Sequence, residues 1–380
     1  MRSLRMTGGK TLLPSGLAQD GDVLLADGLI QALGGGAGDA RFDASGLLVL
    51  PGIVDIHGDA FERQLQPRPG VDFPADLALR DTEAQLLANG ITTAFHGVTL
   101  SWEPGLRSLD AWSRLLNALE AENWIADMRV HLRWEAFNLD ALDTAIADIA
   151  AGRVHLLAFN DHTPAILQKL GDPVAGAKYS DRAGMKMDAF KAMAERIGAA
   201  ADAVPAGLER LGAAARAVGL PMASHDDYSL ERRQYFRDRG ARICEFPIAE
   251  EVGRDARDAG EYVVMGSPNV VRGRSHLGWA SAAASAEAGI CNVLSSDYLY
   301  PAMARAATIL AGRGVLDLAQ AWALVSANPA AATGLDDRGS IEVGKRADVV
   351  VLDPATSRPV LTVAGGRIAY IAAAGAARLG

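Results

Sequence analysis

Short apolar segments separated by turn residues occupy both ends of the chain. Near the start, Val23–Leu25 and Leu29–Leu33 are flanked by turn pairs such as Asp27-Gly28. Short apolar runs between Gly and Asp turns predict β-hairpins. Similar segments recur near the end of the chain, at Ser340–Val343, Ala347–Leu352, Val360–Val363 and Arg367–Ala372. We therefore expect residues 1–50 and 335–380 to form one discontinuous β domain.

Between these ends, residues 51–334 alternate apolar runs with helical segments. Eight runs predict strands: Leu48–Ile56, Thr92–Gly97, Arg129–Trp134, Val154–Phe159, Pro221–Ser224, Ile243–Phe246, Tyr262–Met265 and Asn292–Leu294. Eight segments predict helices: Ala75–Asn89, Ser108–Glu122, Leu139–Ala150, Met185–Ala217, Leu230–Asp238, Ala249–Asp258, Ala280–Glu287 and Met303–Ala311. This α/β pattern predicts a parallel sheet closed into a (β/α)₈ TIM barrel. The segment 170–217 is longer than one helix requires, so we expect a lid there.

Polar side chains follow the predicted strands at their C-terminal ends, which is where (β/α)₈ barrel enzymes have their active sites. Five of the seven histidines lie at or just after predicted strand ends: His57, His96, His162, His225 and His276. Histidine nitrogens and carboxylate oxygens are ligands for zinc and similar divalent ions. One such histidine alone would more often be structural, but the whole set favours a metal centre.

Composition narrows the class of protein. The 380 residues are 49% hydrophobic, which is enough for a large core and excludes intrinsic disorder. The net charge of −9 argues against nonspecific binding to nucleic acid or anionic membrane. Two cysteines cannot build a disulfide framework or a cysteine-rich zinc site. We find no segment that resembles a signal peptide and no apolar run of membrane-spanning length. We therefore expect a cytoplasmic enzyme that acts on a small molecule.

Two motifs resemble those of a known superfamily. Residues 50–59, Leu-Pro-Gly-Ile-Val-Asp-Ile-His-Gly-Asp, resemble the first-strand motif of the amidohydrolase superfamily. Residues 344–350, Gly-Lys-Arg-Ala-Asp-Val-Val, resemble its return into the β domain. The resemblance implies a metal-dependent (β/α)₈ barrel and a small β-sandwich built from both chain ends.

A narrower resemblance covers nearly the whole chain. Segments resembling the PhnM family of alkylphosphonate utilisation are 67–74, 90–93, 131–135, 223–227, 265–276 and 294–298. Members of this family are α-D-ribose 1-methylphosphonate 5-triphosphate diphosphohydrolases. The resemblance therefore implies metal-dependent hydrolysis of that triphosphate to the 5-phosphate and pyrophosphate. It also implies that a metal-activated water attacks a phosphorus atom.

The same resemblances imply roles for individual residues. His57, Asp59 and His225 are the expected metal ligands, joined by Glu135 and His162, and Asp297 is the expected general base. His162 could instead polarise a phosphate oxygen or cap the next helix. The cofactor implied is one or two zinc ions, and manganese or magnesium stays open because a carboxylate ligand also suits harder ions.

A polyanionic substrate predicts cations around the cleft. The expected substrate contacts are Arg68, Arg133, Arg272, Arg274, Lys178, His276 and His96. Arginines in barrel loops also commonly pair with surface carboxylates.

Two other functions stay open at this point. One is an amidohydrolase acting on a C–N bond, as a deacetylase or deaminase. The other is a non-catalytic scaffold that retains the barrel without metals. Superfamily barrels are often dimers or tetramers, so a homo-oligomer is expected.

Overall fold

The computed structural model describes residues 3–19, 21–68, 70–273 and 281–380. The predicted substrate contacts Arg274 and His276 lie outside the described residues. Within the described part of the chain, no helix is long and apolar enough to cross a membrane.

The described strands form three sheets. The strands are β1 Ser3–Thr7, β2 Lys10–Leu13, β3 Gly16–Ala18, β4 Val23–Ala26, β5 Leu29–Leu33, β6 Ala40–Asp43, β7 Leu48–Pro51, β8 Ile53–Gly58, β9 Ile91–Leu100, β10 Asp127–Glu135, β11 Leu156–Asn160, β12 Met222–His225, β13 Ile243–Glu245, β14 Tyr262–Gly266, β15 Val293–Ser295, β16 Val349–Asp353, β17 Arg358–Ala364 and β18 Arg367–Ile371.

Helices follow most of the barrel strands. The helices are α1 Glu62–Leu65, α2 Ala75–Ala88, α3 Leu109–Glu120, α4 Leu142–Ala150, α5 Thr163–Lys169, α6 Pro173–Arg182, α7 Met187–Gly198, α8 Val204–Ala217, α9 Leu230–Arg237, α10 Glu250–Asp258, α11 Ser267–Arg272, α12 Ala282–Glu287, α13 Ala302–Gly312, α14 Leu318–Ala323, α15 Ala327–Ala332 and α16 Ala373–Ala376.

The eight strands β8 to β15 form a parallel barrel in chain order. A parallel bridge between Gly58 and Asp297 closes it, and the Asp297 amide donates to the His57 carbonyl over 3.0 Å. Branched and aromatic side chains such as Val54, Phe95 and Leu156 fill the interior. The predicted (β/α)₈ barrel is thus confirmed.

Both ends of the chain contribute strands to the other sheets. A six-stranded sheet has the order β18-β17-β16-β7-β2-β3, and a four-stranded sheet has the order β5-β4-β1-β6. Their facing side chains share one apolar core that includes Met6, Phe42, Val49, Val351 and Leu361. Burial between two sheets is the arrangement of a β-sandwich, as the resemblance implies.

A register shift in β8 determines which of its side chains face the barrel interior. Asp55 pairs with Ala94 and Gly58 pairs with His96, so three residue steps on β8 match two on β9. The extra residue reverses the in-and-out alternation of side chains. Val54 contributes to the interior apolar core, yet His57 is also brought inward, beside His131 and His225.

Several predicted elements differ in the structure. The run predicted as one strand, Leu48–Ile56, is divided between β7 of the six-stranded sheet and β8 of the barrel, and Ser340–Val343 is not a strand. Strand β9 continues to Leu100 rather than ending near Gly97, so His96 lies within the strand. The helical stretch predicted over 185–217 is two helices, α7 and α8.

The helices α5, α6 and α7 form an insertion, which we define as residues 163–198. The insertion has a small core of its own, centred on Ile166, Leu170 and Phe190. Helix α8 instead packs its Leu208 and Leu211 into the barrel core. The segment expected as a lid, 170–217, thus covers part of this insertion and one helix of the barrel wall, and its role as a lid stays a prediction.

Candidate metal centre at the barrel mouth

One cluster of possible ligands joins the ends of β8 and β13 to the middle of β10. His57, His131 and Glu245 each offer one ligand atom, and these atoms lie within 4.8 Å of one another. His57 Nδ1 is 3.1 Å from Glu245 Oε1, and His131 Nε2 is 3.8 Å from Glu245 Oε2. All three residues are buried. Two nitrogens and a carboxylate in this arrangement match the ligand types of zinc and similar ions.

Burial controls the charge of these groups. Loss of solvation holds the pKa of His57 well below its ordinary value, with the nearby Arg133 charge adding to the effect. Burial also raises the pKa of Glu245 to about 7. Among the described residues, His57 Nδ1 and Glu245 Oε1 have no hydrogen-bond partner. Buried lone pairs without partners are costly unless a ligand completes them, which is what a cation would do.

A second cluster lies beside the first, at the ends of β11 and β12. His162, His225 and Asp226 again offer ligand atoms within 4.8 Å of one another. The carboxylate of Asp226 is 3.6 Å from His225 Nε2 and 3.6 Å from His162 Nε2. The backbone of Asp226 is left-handed, with φ of 57°. This conformation carries strain for a residue other than glycine, and such strain concentrates at functional sites.

Arg133 joins two of the predicted ligands. Its Nη1 is 3.6 Å from Asp59 Oδ2, and its Nη2 is 3.2 Å from His225 Nε2. Gly97 makes room for it, because a Cβ there would meet Arg133 Cδ at 3.2 Å. Arg133 therefore lies between Asp59 and His225, within the cluster.

Glu135 is held from one side by the start of α5. Its Oε1 accepts hydrogen bonds from the Thr163 hydroxyl at 2.7 Å and from the amides of His162 and Thr163. Its Oε2 is 3.6 Å from His162 Nδ1. Burial is the main cause that raises the pKa of Glu135. Both oxygens thus accept from the start of α5, since the His162 amide also lies 3.2 Å from Oε2, and Oε2 in addition faces the second cluster.

Asp297 follows β15 and lies opposite Asp59. Its backbone is left-handed, with φ of 55°, and its carbonyl accepts from the Asp59 amide at 2.9 Å. Burial raises the pKa of Asp297 to about 7, and the negative charge of Asp59 contributes. Gly266 gives the carboxylate space, since a Cβ there would lie 3.1 Å from Asp297 Oδ2.

The remaining predicted contacts do not join these clusters. His96 is buried on the outer side of β9 against Phe61, with ring centroids 5.2 Å apart, and burial lowers its pKa to about 4. The residues next to His96 along β9, such as Phe95, face the barrel interior instead. Arg68, Lys178 and Arg272 are exposed, on the loop after α1, on α6 and at the end of α11 respectively.

Sequence reasoning did not assign Glu245 and Asp226 to the site. Glu245 lies one residue before the end of a predicted strand, and Asp226 directly follows His225, so their places near strand ends were the available signal. His131 was not among the predicted ligands either, yet its ring centroid is 5.0 Å from that of His57 and its Nε2 is 3.8 Å from Glu245 Oε2.

The fold and the site together define a class of protein, the amidohydrolases. The family model described as "Amidohydrolase family" matches residues 294–370. Solved structures agree on the fold: an amidohydrolase structure superposes with a TM-score of 0.65 at 16% identity, covering 97% of this chain and 99% of that one. Molinate hydrolase gives 0.65 at 16% identity, covering 97% and 94%.

Curated relatives identify the family. The chain is 33% identical over 317 residues to alpha-D-ribose 1-methylphosphonate 5-triphosphate diphosphatase of Escherichia coli strain K12, covering 81% of this chain and 84% of the relative. This chain belongs to that diphosphatase family, and it is an enzyme of the hydrolase class. A shorter stretch of 96 residues is 35% identical to dihydroorotase of Citrifermentans bemidjiense, covering 24% of this chain and 21% of that enzyme.

Proposed function

We propose that this chain hydrolyses alpha-D-ribose 1-methylphosphonate 5-triphosphate to the 5-phosphate and pyrophosphate. The observation that carries the proposal is its identity with the Escherichia coli diphosphatase over four fifths of its length. The barrel mouth supports a metal-dependent reaction, because neutral imidazoles and buried carboxylates converge there.

The proposed metal centre uses His57, Asp59, Glu135, His162 and His225, and we add Glu245 because its Oε1 is buried without a partner. The residues fit one or two zinc ions, and the carboxylates also suit manganese or magnesium. A divalent ion, when bound, polarises a phosphoryl oxygen and lowers the pKa of a water toward about 7. His57 offers its lone pair because its low pKa keeps the ring neutral at physiological pH.

Asp297 is the proposed general base. Its raised pKa, about 7, suits a carboxylate that accepts the proton of the attacking water near neutral pH. The water attacks phosphorus, the α–β anhydride bond breaks and pyrophosphate leaves.

Positive side chains are proposed to bind the triphosphate. Arg133 contacts Asp59 and His225, and it would be free to bind phosphate if these two residues held a metal. Arg68, Arg272 and Lys178 are exposed and free to move toward a large anion. We propose a homo-oligomer on the precedent of superfamily barrels.

The second candidate function is hydrolysis of a C–N bond, and the dihydroorotase match over 96 residues favours it. Arg133 in the cluster argues for phosphate, since C–N hydrolysis requires mainly an oxyanion donor.

The test measures pyrophosphate release from the sugar triphosphate and from ATP, with metal analysis of the same sample. We expect release by metal-containing protein, with losses of at least about 100-fold in His57→Ala and Asp297→Asn. Release from both substrates would support the proposed reaction and widen the range of triphosphates that the enzyme accepts. Bound metal without release would contradict the proposal and favour C–N hydrolysis, and protein with neither property would favour a scaffold.

A further inference from the structure

A short loop after β9 connects the insertion to the candidate metal centre. Trp102 lies in this loop, and its indole N–H donates to Thr163 Oγ1 over 2.8 Å. The Thr163 hydroxyl lies 2.7 Å from Glu135 Oε1. A chain of two hydrogen bonds therefore joins the loop to a proposed metal ligand.

The direction of these bonds follows from the chemistry of the groups. An indole N–H can only donate, so Thr163 Oγ1 must be its acceptor. The hydroxyl has one proton, which is then available for Glu135. Thr163 is fully buried, so no bulk water competes for either bond. The backbone amide of Thr163 also donates to the same Oε1, at 3.1 Å.

The other side of this loop holds the insertion. The ring of Trp102 packs into the insertion's core, 5.6 Å from the ring of Phe190 on α7. The next residue, Glu103, is buried and pairs with Arg182 at the end of α6. The two adjacent side chains thus bind two different helices of the insertion.

This arrangement engages the two oxygens of Glu135 unequally. Oε1 accepts from the Thr163 hydroxyl and from the amides of His162 and Thr163, whereas Oε2 accepts only from the His162 amide, at 3.2 Å, and lies 3.6 Å from His162 Nδ1. Oε2 therefore keeps a lone pair for a further ligand. We propose that Thr163 and Trp102 are positioning residues, which orient Glu135 so that Oε2 can bind the metal. Through these contacts, the affinity for metal depends on the packing of the insertion against the loop that carries Trp102. The inference rests on the proposed function only in taking Glu135 as a metal ligand.

The first test is a cobalt titration of the metal-free protein, followed by the visible spectrum of the bound ion. Thr163→Val removes the hydroxyl, and we expect cobalt binding 10- to 100-fold weaker, which is the usual effect of losing a partner that orients a metal ligand. Thr163→Ser restores the hydroxyl and is expected to bind within about threefold of wild type. Trp102→Phe keeps an aromatic ring without the N–H donor and is expected to weaken binding less than Thr163→Val.

Thr82→Val is the matched control. Thr82 is also fully buried, and its hydroxyl donates to the Ala78 carbonyl within α2, away from the barrel mouth. Thr82→Val and Thr163→Val remove the same group, so a general effect on packing would weaken both. Thermal unfolding shows whether each variant is folded. If Thr163→Val does not fold, the cobalt affinity of Trp102→Phe still tests the proposal.

Hydrogen exchange of the insertion supplies a second readout. If packing of the insertion strengthens metal binding, thermodynamic linkage requires that bound metal also stabilises the packed insertion. We expect cobalt to slow amide exchange in α6 and α7 of wild type, and to do so less in Thr163→Val. Equal cobalt affinity in Thr163→Val and Thr82→Val would overturn this inference alone, whereas a wild type that binds no metal would overturn the proposed metal centre as well.

Discussion

Strands β12 and β13 carry buried polar groups on both faces, and the two faces differ in how those groups are satisfied. On the outer face, the fully buried Arg233 donates to Asp227 at 3.1 Å, to Glu261 at 2.8 Å, and to Ser224 and the Ala241 carbonyl. Nearly every charge of that cluster has an opposite charge or a hydrogen bond. Asp227 Oδ1 is the exception within the described residues, and we call this outer cluster the closed network.

The inner face carries His225 and Glu245, and here the partners are incomplete. Glu245 Oε1 and His57 Nδ1 have no hydrogen bond within the described residues, although 3.1 Å separates them. The two clusters are similarly buried but differ in degree. Within the described residues, the outer one leaves Asp227 Oδ1 without a hydrogen-bond partner, whereas the inner one leaves atoms of His57, His131 and Glu245 without one. Several such buried atoms in one place, rather than burial alone, indicate a functional site.

The largest expected effect comes from breaking the closed network. Arg233→Met should lower the free energy of unfolding by about 3–5 kcal/mol, because Asp227 would become a buried charge without a cationic partner. Glu261 would keep its ion pair with Arg237. Urea unfolding at pH 7.5 measures it. Arg254→Met is the control, since Arg254 makes only an exposed i,i+4 pair with Glu250. A loss below about 1 kcal/mol would contradict a structural role for the network.

The inner cluster should respond in the opposite way. The pKa of Glu245 is raised to about 7, so burying its charge destabilises the folded protein as the pH rises from about 4.5 through 7. At pH 8, Glu245→Gln should stabilise the metal-free protein by up to about 3 kcal/mol, and at pH 4.5 by little. Unfolding with a chelator present measures this gain, and cobalt titration should show weakened metal binding. If Glu245→Gln instead destabilised the metal-free protein at pH 8, Glu245 would have a structural role like that of the outer cluster.

His96 provides a buried imidazole outside both clusters. Its pKa is lowered to about 4 by burial, so its contribution to stability is present above about 6.5 and is lost as the pH falls toward 4. Between pH 7 and 5 this amounts to about 2 kcal/mol. The comparison is between the pH dependence of unfolding of wild type and His96→Leu, and the variant should show the shallower decline. Pyrophosphate release at pH 8 should survive the change, because the ring packs on the outer side of β9.

The smallest expected effect concerns backbone strain. Left-handed residues other than glycine occur at Asp226, Phe246 and Asp297 in the barrel mouth, and at Asp27 and Ser357 outside it. Asp27→Gly should be neutral or stabilising by less than about 1 kcal/mol, since the exposed turn gains a residue suited to φ of 52°. Thermal unfolding measures it. A clear loss of stability would show that the Asp27 side chain contributes more than its strain costs.

The barrel strands could be predicted from the sequence because each is an apolar run between turn residues. The polar residues closing those runs gave His57, Asp59, Glu135, His225 and Asp297, which the fold brings to one mouth. Their roles stay predictions. The pattern could not show that β9 continues to Leu100, since Gly97 inside it resembles a strand end.

Other features depended on three-dimensional context. The left-handed backbone at Asp226 has no sequence signature, because aspartate there is equally compatible with an ordinary turn. Helices α5 and α6 are short and interrupted by Pro and Gly, so their periodicity is too weak to separate them. Glu245 could be placed on a strand, but its missing partner is visible only where β8 and β13 meet.

The six-stranded sheet has a consequence for the order of events during synthesis. Pro51 on β7 pairs with Val349 on β16, about 300 residues later. Ribosomes add about 5–20 residues per second, so β7 waits roughly 15–60 s for this neighbour to be made. During that interval β2, β3 and β7 present an open apolar edge while the barrel strands emerge one after another. A chaperone that shields this edge should therefore increase the yield of folded protein more than one that acts on the completed chain.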